Sequence, residues 1–255
     1  MTVTALPTSP TAPPLGRRVW NAVRLHAANP WPTLITPWLI FAAIFGLNLA
    51  IWYLVTVAAG GVQNLDADAF AYNGGVTWVL FFLMAMAVQA MSLTFRFALG
   101  VGMTRRDYYL GTVAYLAILA ATYAAGIAVM ARVEELTDGW GMGGQFFAPW
   151  FLADLPAWQL WYLNVVAGLL LAMLGVTLGA VWVRWKATGL YLAIGALAVL
   201  VVAGLWAMTT TASWGALGEY LGTHSPVLSA TWTLPVTALG AAAGYLVLRR
   251  ATPRA

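Results

Sequence analysis

Two histidines, His26 and His224, one lysine, Lys186, and eight carboxylates are the chain's whole supply of groups for acid–base, nucleophilic or metal chemistry, and it has no cysteine. A serine–histidine hydrolase needs both groups at one place, and an intramembrane aspartyl hydrolase needs two buried Asp. Neither set falls within the long apolar runs that make up most of the chain. The lack of cysteine removes disulfides, thiolate metal sites and thiol nucleophiles. Lys186 follows Val183, Arg184 and Trp185 rather than a glycine-rich loop, and Gly100-Val-Gly102 lacks the third glycine of a dinucleotide fingerprint. No catalytic, cofactor or metal site is expected in this chain.

The residues that do suggest a task lie together in Thr94 to Gly111. Thr104 stands three places before Asp107, a helix-start pattern in which the hydroxyl accepts from the backbone N–H of Asp107 and the carboxylate favours the positive helix end. Gly100 and Gly102 supply flexible backbone just before it, so Arg96 to Thr104 is expected to form a compact elbow. Arg105 and Arg106 sit in the first turn, where the helix dipole disfavours them, so local helix stability does not account for them. Two readings stand. Either the arginines only fix membrane topology, or the elbow docks on a cytoplasmic partner bearing acidic or aromatic groups.

The elements that must position this elbow follow from composition. At 62% hydrophobic and 8% charged residues over 255, the twenty charges cannot cover a water-exposed surface, so lipid is the main solvent. Charges interrupt six apolar runs, Leu25 to Leu65, Ala69 to Phe95, Tyr108 to Ala131, Leu155 to Val183, Ala187 to Gly218 and Tyr220 to Leu248. A span needs about 20 apolar residues, and each run holds one. The expected fold is all-α and polytopic, with six transmembrane helices at about 36–59, 76–94, 105–131, 157–183, 188–208 and 228–248. With a cytoplasmic amino terminus, eleven of the twelve basic residues lie inside and only Arg132 outside, which places both termini in the cytoplasm. The basic residues are spread over short loops beside lipid, so the pI of about 9.6 reflects topology, and no nucleic-acid partner is expected.

Residues 1–14, rich in proline, read as a disordered cytoplasmic tail, and 251–255 as a second tail around a six-span domain at 30–250. Residues 15–29 read as an amphipathic helix lying on the inner membrane face. Its Val19, Trp20, Val23 and Ala27 would face lipid, with Arg18, Asn21 and Leu25 largely turned away; Arg17 and Arg24 add to its positive charge. Asn48, Gln89 and Asn164 are the main strongly polar side chains inside spans, expected as interhelical hydrogen bonds with a substrate-lining role as the alternative. Small residues recur four apart, as in Ala42, Gly46 and Ala50 or Gly175 and Gly179, which lets helices approach closely. The outer loop Arg132 to Pro156 carries Trp140, Phe146, Phe147, Trp150 and Phe151, read as an interfacial loop or as an amphipathic lid, with Arg132 and Glu135 paired at i+3. No titratable group lies mid-span, which disfavours an autonomous ion-coupled carrier or channel.

The segment Phe97-Ala-Leu-Gly-Val-Gly-Met-Thr-Arg-Arg-Asp-Tyr-Tyr-Leu-Gly111 resembles the coupling-helix region of ABC transporter permeases of the six-span type-2 exporter class. His26-Ala-Ala-Asn-Pro-Trp31, Glu135-Leu-Thr-Asp-Gly-Trp-Gly141 and Arg184-Trp-Lys186 are similar to an actinobacterial branch of it. The resemblance implies a half-transporter in the cell membrane, in which two permeases, identical or homologous, work with two separate ATPase subunits. ATP and Mg are then held by the ATPase, whose closure pushes on the elbow and on the amino-terminal helix. The expected function is export of an amphipathic or apolar compound. The alternative is a non-transporting sensor or mechanical transmitter driven by the same kind of ATPase.

Overall fold

The computed structural model describes residues 13–251, so the expected tails at 1–14 and 251–255 lie, but for Pro13, Pro14 and Ala251, outside the described residues. Those residues form helices and contain no strand. The helices are α1 Leu15–Ala27, α2 Thr36–Ala58, α3 Thr77–Gln89, α4 Phe95–Gly100, α5 Arg105–Leu136, α6 Ala157–Thr210, α7 Trp214–Thr223, α8 Pro226–Thr231 and α9 Leu234–Arg249. Single π-helical turns lead into α2 at Trp31–Ile35 and join α3 to α4 at Ala90–Thr94. Five continuous segments are long and apolar enough to cross a membrane: Trp31–Ala58, Thr77–Gly100, Arg105–Leu136, Ala157–Thr210 and Pro226–Arg249. This is a helical, membrane-spanning type of chain.

The helices expected at 157–183 and 188–208 follow one another within Ala157–Thr210 as two helical arms that meet at a kink at Lys186, φ 58° and ψ −147°, with no loop between them. The link Arg184-Trp-Lys186 has no glycine or proline, so helical hydrogen bonding resumes at once on the far side. A side chain at that φ is strained, and the strain is confined to one residue.

The first arm of α6 is the axis of the bundle, with α3, α5 and α9 packed around it and α1 laid on α5. All buried residues of α6 fall between Leu160 and Val183; the second arm has none. Gly175 and Gly179 face α3 so closely that any Cβ would meet the backbone of Met84 or Val88, which assigns this small-residue stripe to packing within the chain. Gly46, in contrast, meets nothing within 4 Å. The helix α7 was not foreseen, since Gly215, Gly218 and Gly222 weaken a helical reading.

Candidate functional site

The elbow is built as two helix ends placed back to back. α4 closes with the amide of Met103 donating to Ala98 O and that of Gly102 to Leu99 O, both at 3.0 Å, with Gly102 at φ +86°. This is a Schellman close, and it needs the left-handed residue that glycine provides without strain. Two residues later Thr104 caps α5, its hydroxyl accepting from the Asp107 amide at 3.1 Å as the spacing predicted. Phe95 and Ala98 are fully buried beneath, so α4 is anchored through its apolar face while Arg96, Phe97, Gly100 and Val101 stay exposed.

Asp107 is buried at 4% exposure, and its Oδ2 lies 3.4 Å from Nε of Arg18 on α1. Its Oδ1 is buried without a hydrogen-bond partner among the described residues, so Arg18 is what offsets the carboxylate charge. The rest of the α1–α5 contact is steric. Gly111 leaves a slot in α5 into which Ala22 and the Val19 carbonyl fit; a Cβ there would overlap them. His26 then bonds Thr112 Oγ1 through Nε2 at 2.9 Å and stacks on Tyr115. Burial holds the His26 imidazole down to about 4, so it is neutral near pH 7.

The expected orientation of α1 is therefore corrected at Val23, which faces the protein instead of lipid. Ala22 and Val23 are buried against the protein, Arg18 and Leu25 are turned partly inward, and Trp20 and Ala27 are exposed. Gly111 explains the difference, because the slot it opens decides which face of α1 docks. Arg17 and Arg24 are exposed.

Arg105 donates through Nη1 to the carbonyl of Arg249, at 2.9 Å, in the last turn of α9. A guanidinium at a helix carboxyl end is favourable, so its placement is explained by another helix rather than its own. Arg106 is exposed and makes no contact of this kind. Arg18, Asp107 and Arg105 thus tie the elbow to α1 and α9, while Arg96 and Arg106 present free positive charge beside it.

Of the three polar span residues, Asn48 accepts from Asn73 Nδ2 at 2.8 Å and so joins α2 to the segment before α3. Asn164 instead donates to Leu160 O of its own helix at 2.9 Å. Gln89 is exposed and has no hydrogen-bond partner among the described residues. The interhelical role expected of Asn164 and Gln89 is not what these side chains do.

A second built feature, at the opposite end of α5, went unread in the sequence. Glu134 is 4% exposed, and its carboxylate accepts from the amides of Phe146 at 2.8 Å and Phe147 at 3.1 Å and from Trp140 Nε1 at 3.0 Å. This cage folds the outer loop back on the bundle. Phe146 and Phe147 are buried against Phe41 and Phe45, so the loop is not a plain interfacial one. Gly139, Trp140, Gly141 and Gly143 all take positive φ around it. The paired Arg132 and Glu135 lie on the surface beside it, bordering a cavity of about 900 Å³ that Asp138 and Asp154 also line. Among the described residues, no three His, Cys, Asp or Glu come together as a metal site.

No protein-family model matches this chain, and comparisons with curated proteins and with solved structures returned no match.

Proposed function

We propose that the chain is the membrane subunit of an ATP-driven transporter of the ABC type, receiving force at the elbow Phe95 to Thr104. The observation that carries this reading is the bracing of the elbow: Arg18–Asp107 on one side and Arg105 to the Arg249 carbonyl on the other. A push on α4 is thereby shared by α1, α5 and α9 instead of being absorbed in a loose loop. A loop that only fixed topology would not need either tie. The exposed Arg96 and Arg106 offer the charge that an acidic groove on an ATPase subunit would take.

In this reading the 54-residue α6 crosses the membrane twice. If straight it would extend about 80 Å, against a hydrocarbon core of about 30 Å, and Lys186 is where it turns. That makes six spans, with both termini, the elbow and Lys186 on the cytoplasmic side of the cell membrane and the Glu134 loop outside. The second arm of α6, which has no buried residue, is left for lipid and for a second permease subunit. The ATPase holds ATP and Mg, and the cargo is amphipathic or apolar.

The test is co-purification of the full chain from its own membranes in mild detergent and in nanodiscs. A separate ATPase should come with it, and its turnover should change on removal of the chain. Consistent absence of any ATPase would overturn the reading.

A further inference from the structure

The π-helical turns at Trp31–Ile35 and Ala90–Thr94 border one cavity. A space of about 250 Å³ lies between α1, the turn Trp31–Ile35, the turn Ala90–Thr94 and α5, at the end of the bundle that carries the elbow. Its polar lining includes His26, Asn29, Thr33, Gln89 and Thr94, and no Asp, Glu, Lys or Arg reaches it. π turns leave a wide, locally irregular helix wall and recur at functional sites. Here both are pinned. Tyr108 donates to Ala90 O at 2.6 Å, and Tyr115 and Tyr123, on the same helix, donate to the hydroxyl and carbonyl of Thr33. The two turns beside the cavity are thus each fixed to α5 by tyrosine hydroxyls.

Gln89 says what enters. It precedes Arg96 by seven residues, so it sits about 10 Å along the helix from the charged membrane edge. An amide left unpaired at that depth is costly, and none of the described residues pairs with it. Leu93, which also lines the cavity, is an apolar side chain left 68% exposed on the same membrane-spanning segment. Access is therefore sideways from lipid.

We propose that this cavity binds the uncharged, hydrogen-bonding head of a resident membrane lipid, a glycerol or ester head such as that of a diacylglycerol, with its chains leaving past Leu93. An anionic head has no cation here to meet it, and burial keeps His26 neutral. A purely apolar occupant would leave Gln89 unpaired. The site belongs to a single chain and stands whether or not an ATPase partners it.

The test reconstitutes the full chain in phosphatidylcholine nanodiscs with a photoreactive diacylglycerol or a phosphatidylglycerol carrying the same diazirine. The expected result is preferential labelling by diacylglycerol of the peptides spanning 25–33 and 86–94. It should fall at least about threefold in Gln89→Leu, which removes the hydrogen bond, and in Leu93→Trp, which narrows the mouth. Both positions are exposed, so neither substitution disturbs the core. Equal labelling by the two lipids, or labelling that survives either substitution, overturns the proposal. Loss of the labelled lipid when an ATPase and ATP are added also overturns it, since the occupant would then be cargo and not resident.

Discussion

Arg18 and Asp107 meet across the α1–α5 contact at 3.4 Å, with the carboxylate side chain 5% exposed and the guanidinium 37% exposed. The arginine side chain as a whole reaches water, but its Nε, like the carboxylate it meets, is buried. The Coulomb gain is thus partly screened, but removing Arg18 leaves a buried carboxylate without its counter-charge. Arg18→Ala is expected to cost about 1–2 kcal/mol, and Asp107→Asn in the same chain should recover part of it. Thermal unfolding of the two single variants and the double variant measures the coupling. Strictly additive losses would mean that the pair does no joint work.

The two adjacent arginines of the elbow should separate. Arg106→Glu reverses an exposed charge and is expected to weaken ATPase coupling while stability stays within about 0.5 kcal/mol of the parent. Arg105→Ala removes the donor to Arg249 and should loosen the end of α9, seen as faster amide exchange at 246–250. With both changed to Glu, ATP-dependent transport should fall. Unchanged transport with verified topology would reduce these residues to a topology signal.

Glu134 holds the outer loop through several donors at once. Glu134→Ala leaves buried amides unpaired and is expected to cost about 2–4 kcal/mol, with the loop opening first. Chymotryptic cleavage at Trp140, Phe146 or Phe147, absent in the parent, reports that opening. A variant as protease-resistant as the parent would show that Phe146 and Phe147 hold the loop without the carboxylate.

Acid should destabilise the chain through His26. Its folded pKa of about 4 lies below the unfolded value near 6.5, so the unfolded state binds more protons between them. Its contribution is complete above about pH 6.5 and is lost as pH falls toward 4, a change on the order of 2 kcal/mol. His26→Phe should flatten that part of the profile between pH 7 and pH 5. A slope as steep as the parent's would assign it elsewhere.

Because the chain has no cysteine, single substitutions report sidedness without background. Lys186→Cys and Arg106→Cys are expected to react with an impermeant maleimide from one side of the membrane, and Gly141→Cys from the other. Labelling of position 186 from the same side as position 141 would exclude a turn of α6 at the cytoplasmic face.

The elbow was legible because its signals are local. Thr104 and Asp107 are three apart in sequence and bonded in space; of the two glycines expected to supply flexible backbone, Gly102 takes a positive φ while Gly100 ends α4. The apolar runs likewise found the spanning helices, and the charges of Arg184 and Lys186 marked the break at Lys186, which is one residue wide and carries no glycine or proline. What sequence could not show is pairing across distance. The face α1 buries depends on a missing Cβ at Gly111, 89 residues after Ala22. Glu134 looked like one more outer acid because its partners are backbone amides, which have no residue identity to read. The glycine run after it, Gly139 to Gly144, was the available hint that backbone would be folded tightly around something.

The tie between Arg105 and the carbonyl of Arg249 joins groups 144 residues apart. During synthesis the elbow emerges early, yet it stays unbraced on that side until the ribosome has passed α9. A chain interrupted before that point keeps its docking arginines but lacks the strut behind them. If the chain is driven by an ATPase as proposed, such a fragment would give way instead of passing the stroke on, and the bond would make a finished bundle a condition of coupling.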